Sequence, residues 1–572
     1  MVSERSGRSE EKTLLGANLR PDVGFRPGVP SRLLESVLGL PPAVARRVRV
    51  TRDVAVRTRD GVPLLTDVYN PAVGPAPAVL IRTPYGRRGA TSLLGRLFAE
   101  RGLHTVVQSC RGTNGSGGAF EPLVHERADG LDTLAWLRRQ PWYGGRFGLF
   151  GASYQGFVQW AIAADAGDEL GAMVAVVSAS QTRDSTYAGG AFSLDTVLTW
   201  TELVRAQDVP WWSRQVELKR GQPRLRRGLD HLPLAEADAV ATGDTVGFFQ
   251  EWLRHTDRTG DYWRQRVHDE RIGQVRAPVA LVGGWHDIFL PWQLADYAVL
   301  REAGVQPYLT VGGWSHGSVG LYLAALREGL SFLTAHLNGG SRRLSRARVR
   351  VQVGGGGGWR ALPDWPPPGW TAQPWYLTAG GGLSPAAPAP STPDTHRYDP
   401  ADPTPSLGGP LLVGKFAGPV DNAPVEARPD VLTYTSPELA ADIEVVGPVE
   451  ALVHVRSTLP YFDVFVRLCD VDPRGRSWNV CDGLTRVAPG LPAADAEGVQ
   501  PVRVELWPTA YRFARGHRIR VQVSGGAHPR YARNPGTGEP LGTATELRAG
   551  EREVFHDPRR ASAVLLPVLH QR

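Results

Sequence analysis

Between Ala76 and Ser180 short apolar runs alternate strictly with amphipathic stretches, and that rhythm leaves few folds open to the chain. The order is strand APAVLIRT, helix TSLLGRLFAERG, strand HTVVQSC, a Gly-rich loop RGTNGSGG, helix ERADGLDTLAWLRRQ, strand RFGLFGAS, helix YQGFVQWAIAADA and strand GAMVAVVSAS. Continuous apolar strands are buried on both faces, and parallel neighbours need a helical crossover to return the chain. The pattern predicts an α/β domain with a mostly parallel sheet covered by helices on both sides. Ahead of it, RVRVTRDVAVRTRD and GVPLLTDVYN read as alternating strands joined by Asp60-Gly61, a hairpin turn.

The rhythm stops between about residues 179 and 271, where the chain reads as helical and carries Trp200, Trp211, Trp212, Trp252 and Trp263. Large rings suit both a small core and the lid of a pocket, so this segment is expected to be an inserted cap. Alternation resumes with APVALVGGWHD, PWQLADYAVLREAG, QPYLTVGGWSHG and GLYLAALREGLSFLTAHLNG. From Arg346 a Pro-rich stretch gives way to short strands without helices between them, which indicates an antiparallel sandwich of jelly-roll type. The expected partition is an extension at 1–45, the α/β domain in two parts at 46–178 and 272–342, the cap at 179–271 and the β-sandwich at 345–572.

The most informative segment is Gly151-Ala152-Ser153-Tyr154-Gln155-Gly156, between a buried strand and a helix. A serine attacks only if it is exposed, oriented and beside a base, and a sharp strand-to-helix turn supplies the exposure. Glycines two before and three after permit the close backbone approach, and the helix N-terminus supplies free N–H groups near a developing oxyanion. In this architecture an acid and then a histidine follow at the ends of later strands. Asp287 closes APVALVGGWHD and His316 closes PYLTVGGWSHG. His286 points away from its neighbour Asp287 along the strand, and His125, Asp132 and Asp184 fit capping or ion pairing, so none is placed in the triad. Tyr85 in RTPYG stands where a second oxyanion donor is needed and fits an ordinary turn equally well.

Composition excludes other classes. The net charge is +7, but only three of the 64 basic residues are lysine, and the arginines are interleaved with acids instead of alternating with stacking aromatics, so nucleic acid is not an expected partner. Cys110, Cys469 and Cys481 form neither a disulfide framework nor a metal spacing. The polar N-terminus and the lack of any run near 18 apolar residues argue against a membrane and for a cytoplasmic location. The Gly354–Gly358 run lacks the surroundings of a nucleotide fingerprint and reads as a loop.

RTPYG, CRGTNGSGGAF, PWYGGRFGLFGASYQG, GGWHDIF, GGWSHG, WRALPDWPPP, DVFVRLCDVDPRGRSWNVCDGLTR and LWPTAYRFARGHRIRVQVSGGAHPRYARNPGTG span nearly the whole chain. They resemble the cocaine-esterase and X-Pro dipeptidyl-peptidase family of α/β-hydrolases. The resemblance implies an α/β-hydrolase domain split by a helical cap, followed by a C-terminal jelly roll of the galactose-binding-like kind. It implies Ser153 as nucleophile with Asp287 and His316 as partners, and an oxyanion hole made by the Tyr85 hydroxyl and the Tyr154 backbone N–H. Ser109 departs from the pattern, since related chains carry an acid there, so that position offers no salt bridge near Arg111.

The expected activity is hydrolysis of a small-molecule ester or amide through an acyl-enzyme. Relatives that select a free α-amino group carry carboxylates shortly after the triad Asp, where this chain has Phe289 and Leu290. That favours a carboxylesterase with a neutral or aromatic acyl group, its pocket formed by Phe289 with Tyr187 and Phe192 of the cap. Asp184 and Asp195 keep an X-Pro dipeptidyl-peptidase in view, and an acyltransferase would share the first half-reaction. No metal or organic cofactor is implied, and a homodimer is compatible with the sequence.

Overall fold

The computed structural model describes residues 22–25, 29–45, 47–71, 74–206, 213–339, 346–412, 414 and 417–569. Trp211 and Trp212, most of the expected extension and the expected boundary at 342–345 lie outside the described residues.

Eleven strands form the first sheet: β1 (Asp22–Phe25), β2 (Val48–Arg57), β3 (Pro63–Pro71), β4 (Ala76–Thr83), β5 (His104–Ser109), β6 (Tyr143–Ala152), β7 (Leu170–Val176), β8 (Val279–His286), β9 (Tyr308–Ser315), β10 (Val349–Val353) and β11 (Gly358–Leu362). Their order is β1-β2-β3-β5-β4-β6-β7-β8-β9-β10-β11. Neighbours from β5 through β10 are parallel. The expected hairpin pairs β2 with β3 antiparallel, and β3 runs antiparallel to β5. Every residue of β5, β7 and β8 is buried, as a sheet covered on both faces requires.

The chain leaves β4 towards β5 on one side and returns to place β6 on the other. This reversal opens a crevice at the carboxyl ends of β4 and β6, where ligands sit in open α/β sheets. Tyr85 follows β4 and Ser153 follows β6.

The cap is helical, with helices Leu194–Arg205, Arg214–Asp230, Ala237–Thr242 and Gly247–Arg254 among the described residues. A cluster of Phe157, Tyr187, Phe192, Leu198, Phe249, Trp252 and Trp263 fixes it to the helix that follows Ser153.

The second sheet is almost wholly antiparallel. Ile443–Ser457 shows the expected period of two, burying Val449, Ala451, Val453 and Val455 against Val464, Val466, Val502, Val504 and Val521. The change of sheet comes later than the sequence suggested. Strands β10 and β11, in the stretch assigned to the sandwich, continue the first sheet, β10 pairing parallel with β9 after the crossover helix Val319–Leu337. VRVQV has the alternation of either sheet, and only its long-range partner decides which one it joins.

Candidate active site

Ser153 caps the helix Tyr154–Ala163 with φ 58° and ψ −126°, a left-handed conformation that a side-chain-bearing residue adopts only when its surroundings enforce it. Its N–H donates to the Val176 carbonyl at 2.9 Å, and its own carbonyl accepts from Gly156 and Phe157. Both motif glycines have steric reasons. A Cβ on Gly151 would overlap Gln155, and one on Gly156 would overlap the Ser178 side chain. Beside this elbow Val177 is held at φ 39°, a rare conformation for a β-branched residue that no local sequence signal anticipates.

Asp287 and His316 emerge at the ends of β8 and β9. His316 Nδ1 lies 2.7 Å from Asp287 Oδ2. A carboxylate only accepts, so Nδ1 carries the ring proton and Nε2 is left as the basic nitrogen. The other oxygen, Oδ1, accepts the Phe289 N–H at 2.8 Å, and the carboxylate is fully buried. The Phe289 ring packs edge-on to the imidazole at 5.7 Å, leaving the ring little freedom.

Tyr85 is held by hydrogen bonds at both ends. Its N–H donates to Thr83 Oγ1 at 3.0 Å, and its hydroxyl accepts the Trp200 indole N–H at 3.1 Å. Burial raises the phenol above its ordinary pKa, and hydrogen bonds from Trp200, the Ser153 side chain and the Tyr154 backbone oppose that rise. The phenol oxygen therefore sits among the groups expected to make the oxyanion hole. Asn114, from the Gly-rich loop, steadies the turn by donating to the Pro84 carbonyl at 2.7 Å. The Tyr154 side chain is an anchor: its hydroxyl donates to Glu126 at 2.8 Å and accepts the Leu123 N–H at 2.8 Å. Glu126 pairs in turn with buried Arg82. Trp200 stacks between Tyr154 and Trp252, so the cap reaches directly into the elbow.

A cavity of ≈ 60 Å³ opens beside Ser153, with Tyr85, Trp200, Trp252, Ile288, Phe289 and Leu412 in its walls. Phe289 is one of the lining residues. Tyr187 and Phe192 are not in the lining, which corrects their expected role: both are buried in the cap core, Tyr187 donating to the Trp252 carbonyl at 2.7 Å. A helical pattern marks such rings as apolar but does not say which side of the cap's thin core they face. Leu412 comes from the Pro-rich stretch of the C-terminal part, and no local signal points to it.

The carboxylates considered for an ammonium are engaged elsewhere. Asp184 pairs with Arg183 and Arg258. Asp195 accepts the Leu412 N–H at 3.3 Å outside the lining, and burial pushes it up to about 6. His286 is buried and driven down to about 4, facing a different cavity beside Asp470 and His517. Asp132 pairs with Arg59, and His125 approaches Glu121. Arg111 is paired despite the serine at 109, with Asp60 and Asp129 as partners, while Ser109 accepts from Arg87.

The family model of the X-Pro dipeptidyl-peptidase (S15 family) matches residues 60–318, and that of the X-Pro dipeptidyl-peptidase C-terminal non-catalytic domain matches residues 340–565. Cocaine esterase from Rhodococcus sp. is 32% identical over 577 residues, covering 91% of this chain and 98% of that protein. An aminopeptidase from a Thaumarchaeota archaeon shares the fold with a TM-score of 0.76 at 23% identity, covering 91% of this chain and 96% of that one. An α-amino acid ester hydrolase does so with a TM-score of 0.75 at 22% identity, covering 96% of this chain and 100% of that one.

Proposed function

The chain belongs to the X-Pro dipeptidyl-peptidase (S15) family and is a serine hydrolase, and from that premise we propose that it is a carboxylesterase for uncharged acyl groups, with Ser153 as nucleophile, His316 as general base and acid, and Asp287 as the orienting carboxylate. In the first step Ser153 Oγ bonds to the ester carbonyl carbon while His316 Nε2 takes its proton. The carbonyl oxygen becomes an oxyanion held by the Tyr85 hydroxyl and the Tyr154 N–H. The carbon–oxygen bond to the leaving alcohol then breaks, and the imidazolium gives that alcohol the proton. Water repeats the sequence on the acyl-enzyme, releasing the carboxylic acid and restoring Ser153. Asp287 stabilises the transient imidazolium and keeps Nε2 turned to the reaction.

One observation carries the choice of substrate: among the described residues, none lining the cavity beside Ser153 is charged. An ammonium buried there would have no counter-ion, which disfavours amino-acid esters and N-terminal dipeptides. The name of the Rhodococcus relative, an esterase, supports the same reading.

Turnover of a phenyl ester compared with a Gly-Pro anilide tests it. The ester is expected to be cleaved and the anilide spared, with fluorophosphonate labelling that disappears in Ser153→Ala. Preferential cleavage of the anilide would establish the peptidase instead. The three cysteines are free and buried, which supports placing the protein in a reducing cytoplasm. Among the described residues no helix is long and apolar enough to cross a membrane.

A further inference from the structure

The cavity beside Ser153 belongs to the acyl side. The general acid must adjoin the leaving group, and His316 is not among the residues that line the cavity, whereas Ser153 and Tyr85 are. The space adjoins the serine that keeps the acyl group and suits the part of the substrate that stays on it. Its volume, ≈ 60 Å³, is well below the roughly 150 Å³ of a cavity that holds benzene. A chain of a few atoms fits it; an aryl ring does not without displacing a wall.

Two hydroxyls in these walls have no hydrogen-bond partner among the described residues. Ser178 Oγ and Thr182 Oγ1 are both buried and both unpaired. Their neighbours are different: Ser185 and Thr186, in the same wall, each donate to the Thr182 carbonyl at 2.9 Å. Ser178 itself is 1% exposed. Buried hydroxyls are almost always paired, and an unpaired one beside a ligand cavity calls for a partner that a ligand can supply. Each hydroxyl can donate to an oxygen on the acyl chain, and the described lining offers no charged group to neutralise an ionic one.

Resting on the esterase reading above, we propose that the acyl pocket selects a short, uncharged acyl chain that carries its own hydrogen-bonding oxygen, as in hydroxy-, oxo- or alkoxyacyl esters, with Ser178 and Thr182 as its partners. A plain alkyl chain of the same length leaves both hydroxyls unpaired, and sites built to bond an oxygen discriminate strongly against analogues that lack it.

The test uses the full chain and three p-nitrophenyl esters with one leaving group: methoxyacetate, the isosteric butyrate, and benzoate. Each kcat/KM is divided by that ester's rate constant for hydroxide hydrolysis, which removes intrinsic reactivity. Methoxyacetate is expected to exceed butyrate by about tenfold or more, with benzoate slowest. Ser178→Ala and Thr182→Val are each expected to reduce the methoxyacetate-to-butyrate ratio, and Thr182→Ser to retain it. A ratio near one, a ratio unmoved in both variants, or benzoate as the fastest ester overturns the proposal and leaves the esterase standing. Fluorophosphonate labelling without turnover of any of the three overturns the proposal alone. Neither turnover nor labelling overturns the serine-hydrolase reading from which it starts.

Discussion

The Trp200 indole N–H donates to the Tyr85 hydroxyl oxygen at 3.1 Å, tying a cap helix to a loop that follows β4, more than a hundred residues earlier. The phenol oxygen accepts that bond and still carries its own proton, which it can donate. The cap thereby holds the tyrosine proposed as an oxyanion donor as well as covering the site.

Tyr85→Phe is expected to lower kcat by roughly 10²- to 10³-fold, the usual loss for one oxyanion donor. Trp200→Phe keeps a stacking ring but removes the N–H, and is expected to lower kcat by about 3- to 10-fold, the worth of one neutral hydrogen bond. Because Trp200 acts through the phenol, adding Trp200→Phe to Tyr85→Phe should lower kcat little further. Steady-state kinetics of the double-mutant cycle check this, and simple additivity would refute it.

Gly156→Ala would drive a Cβ into Ser178, a residue of the cavity wall. Overpacking of this kind costs about 1–3 kcal/mol. The expected outcome is a lower unfolding temperature together with slower fluorophosphonate labelling, since the overlap displaces the turn that holds Ser153. Unchanged labelling would show that the turn yields elsewhere.

Asp296 clasps the root of the cap, accepting the Ser180 N–H at 2.8 Å and the Ser180 hydroxyl at 2.7 Å. Burial pushes its carboxyl from 3.8 up to about 8. Between these values the unfolded chain releases a proton that the folded chain retains, so stability is full below the lower value and falls as pH rises towards the higher one. Asp296→Asn is expected to flatten this part of the pH–stability profile. Denaturant unfolding from pH 4 to 8 measures it, and parallel profiles for the two proteins would contradict it.

Arg111→Ala strips Asp129, which is 1% exposed, of its guanidinium partner. Leaving a buried charge unpaired costs about 3–5 kcal/mol. A marked fall in thermal stability is expected, with Ser109→Asp in the wild-type background changing it far less, because Arg111 already has Asp60 and Asp129.

Much of the site was legible because it is written locally. The elbow needs its glycines within three residues of Ser153, and Asp287 and His316 close apolar strands, so spacing placed all three at one sheet edge. Tyr187 and Phe192 were misplaced because both the pocket and the core of a thin cap are lined with large rings, and composition does not distinguish them. Leu412, Ser178 and Thr182 were not singled out, since a leucine in a loop or a hydroxyl at a strand end carries no mark of what it faces.

The sequence by itself determined the alternating α/β layer, the strained turn at Ser153 and the antiparallel sandwich, because apolar periodicity and glycine placement act over a few neighbouring residues. Only the tertiary structure decided that β10 and β11 extend the first sheet, that Trp200 reaches Tyr85, that Asp60 and Asp129 serve Arg111, and that two hydroxyls beside the elbow lack partners. Those outcomes depend on side chains from distant segments meeting at particular angles and distances, which packing of the whole chain settles and no local pattern encodes.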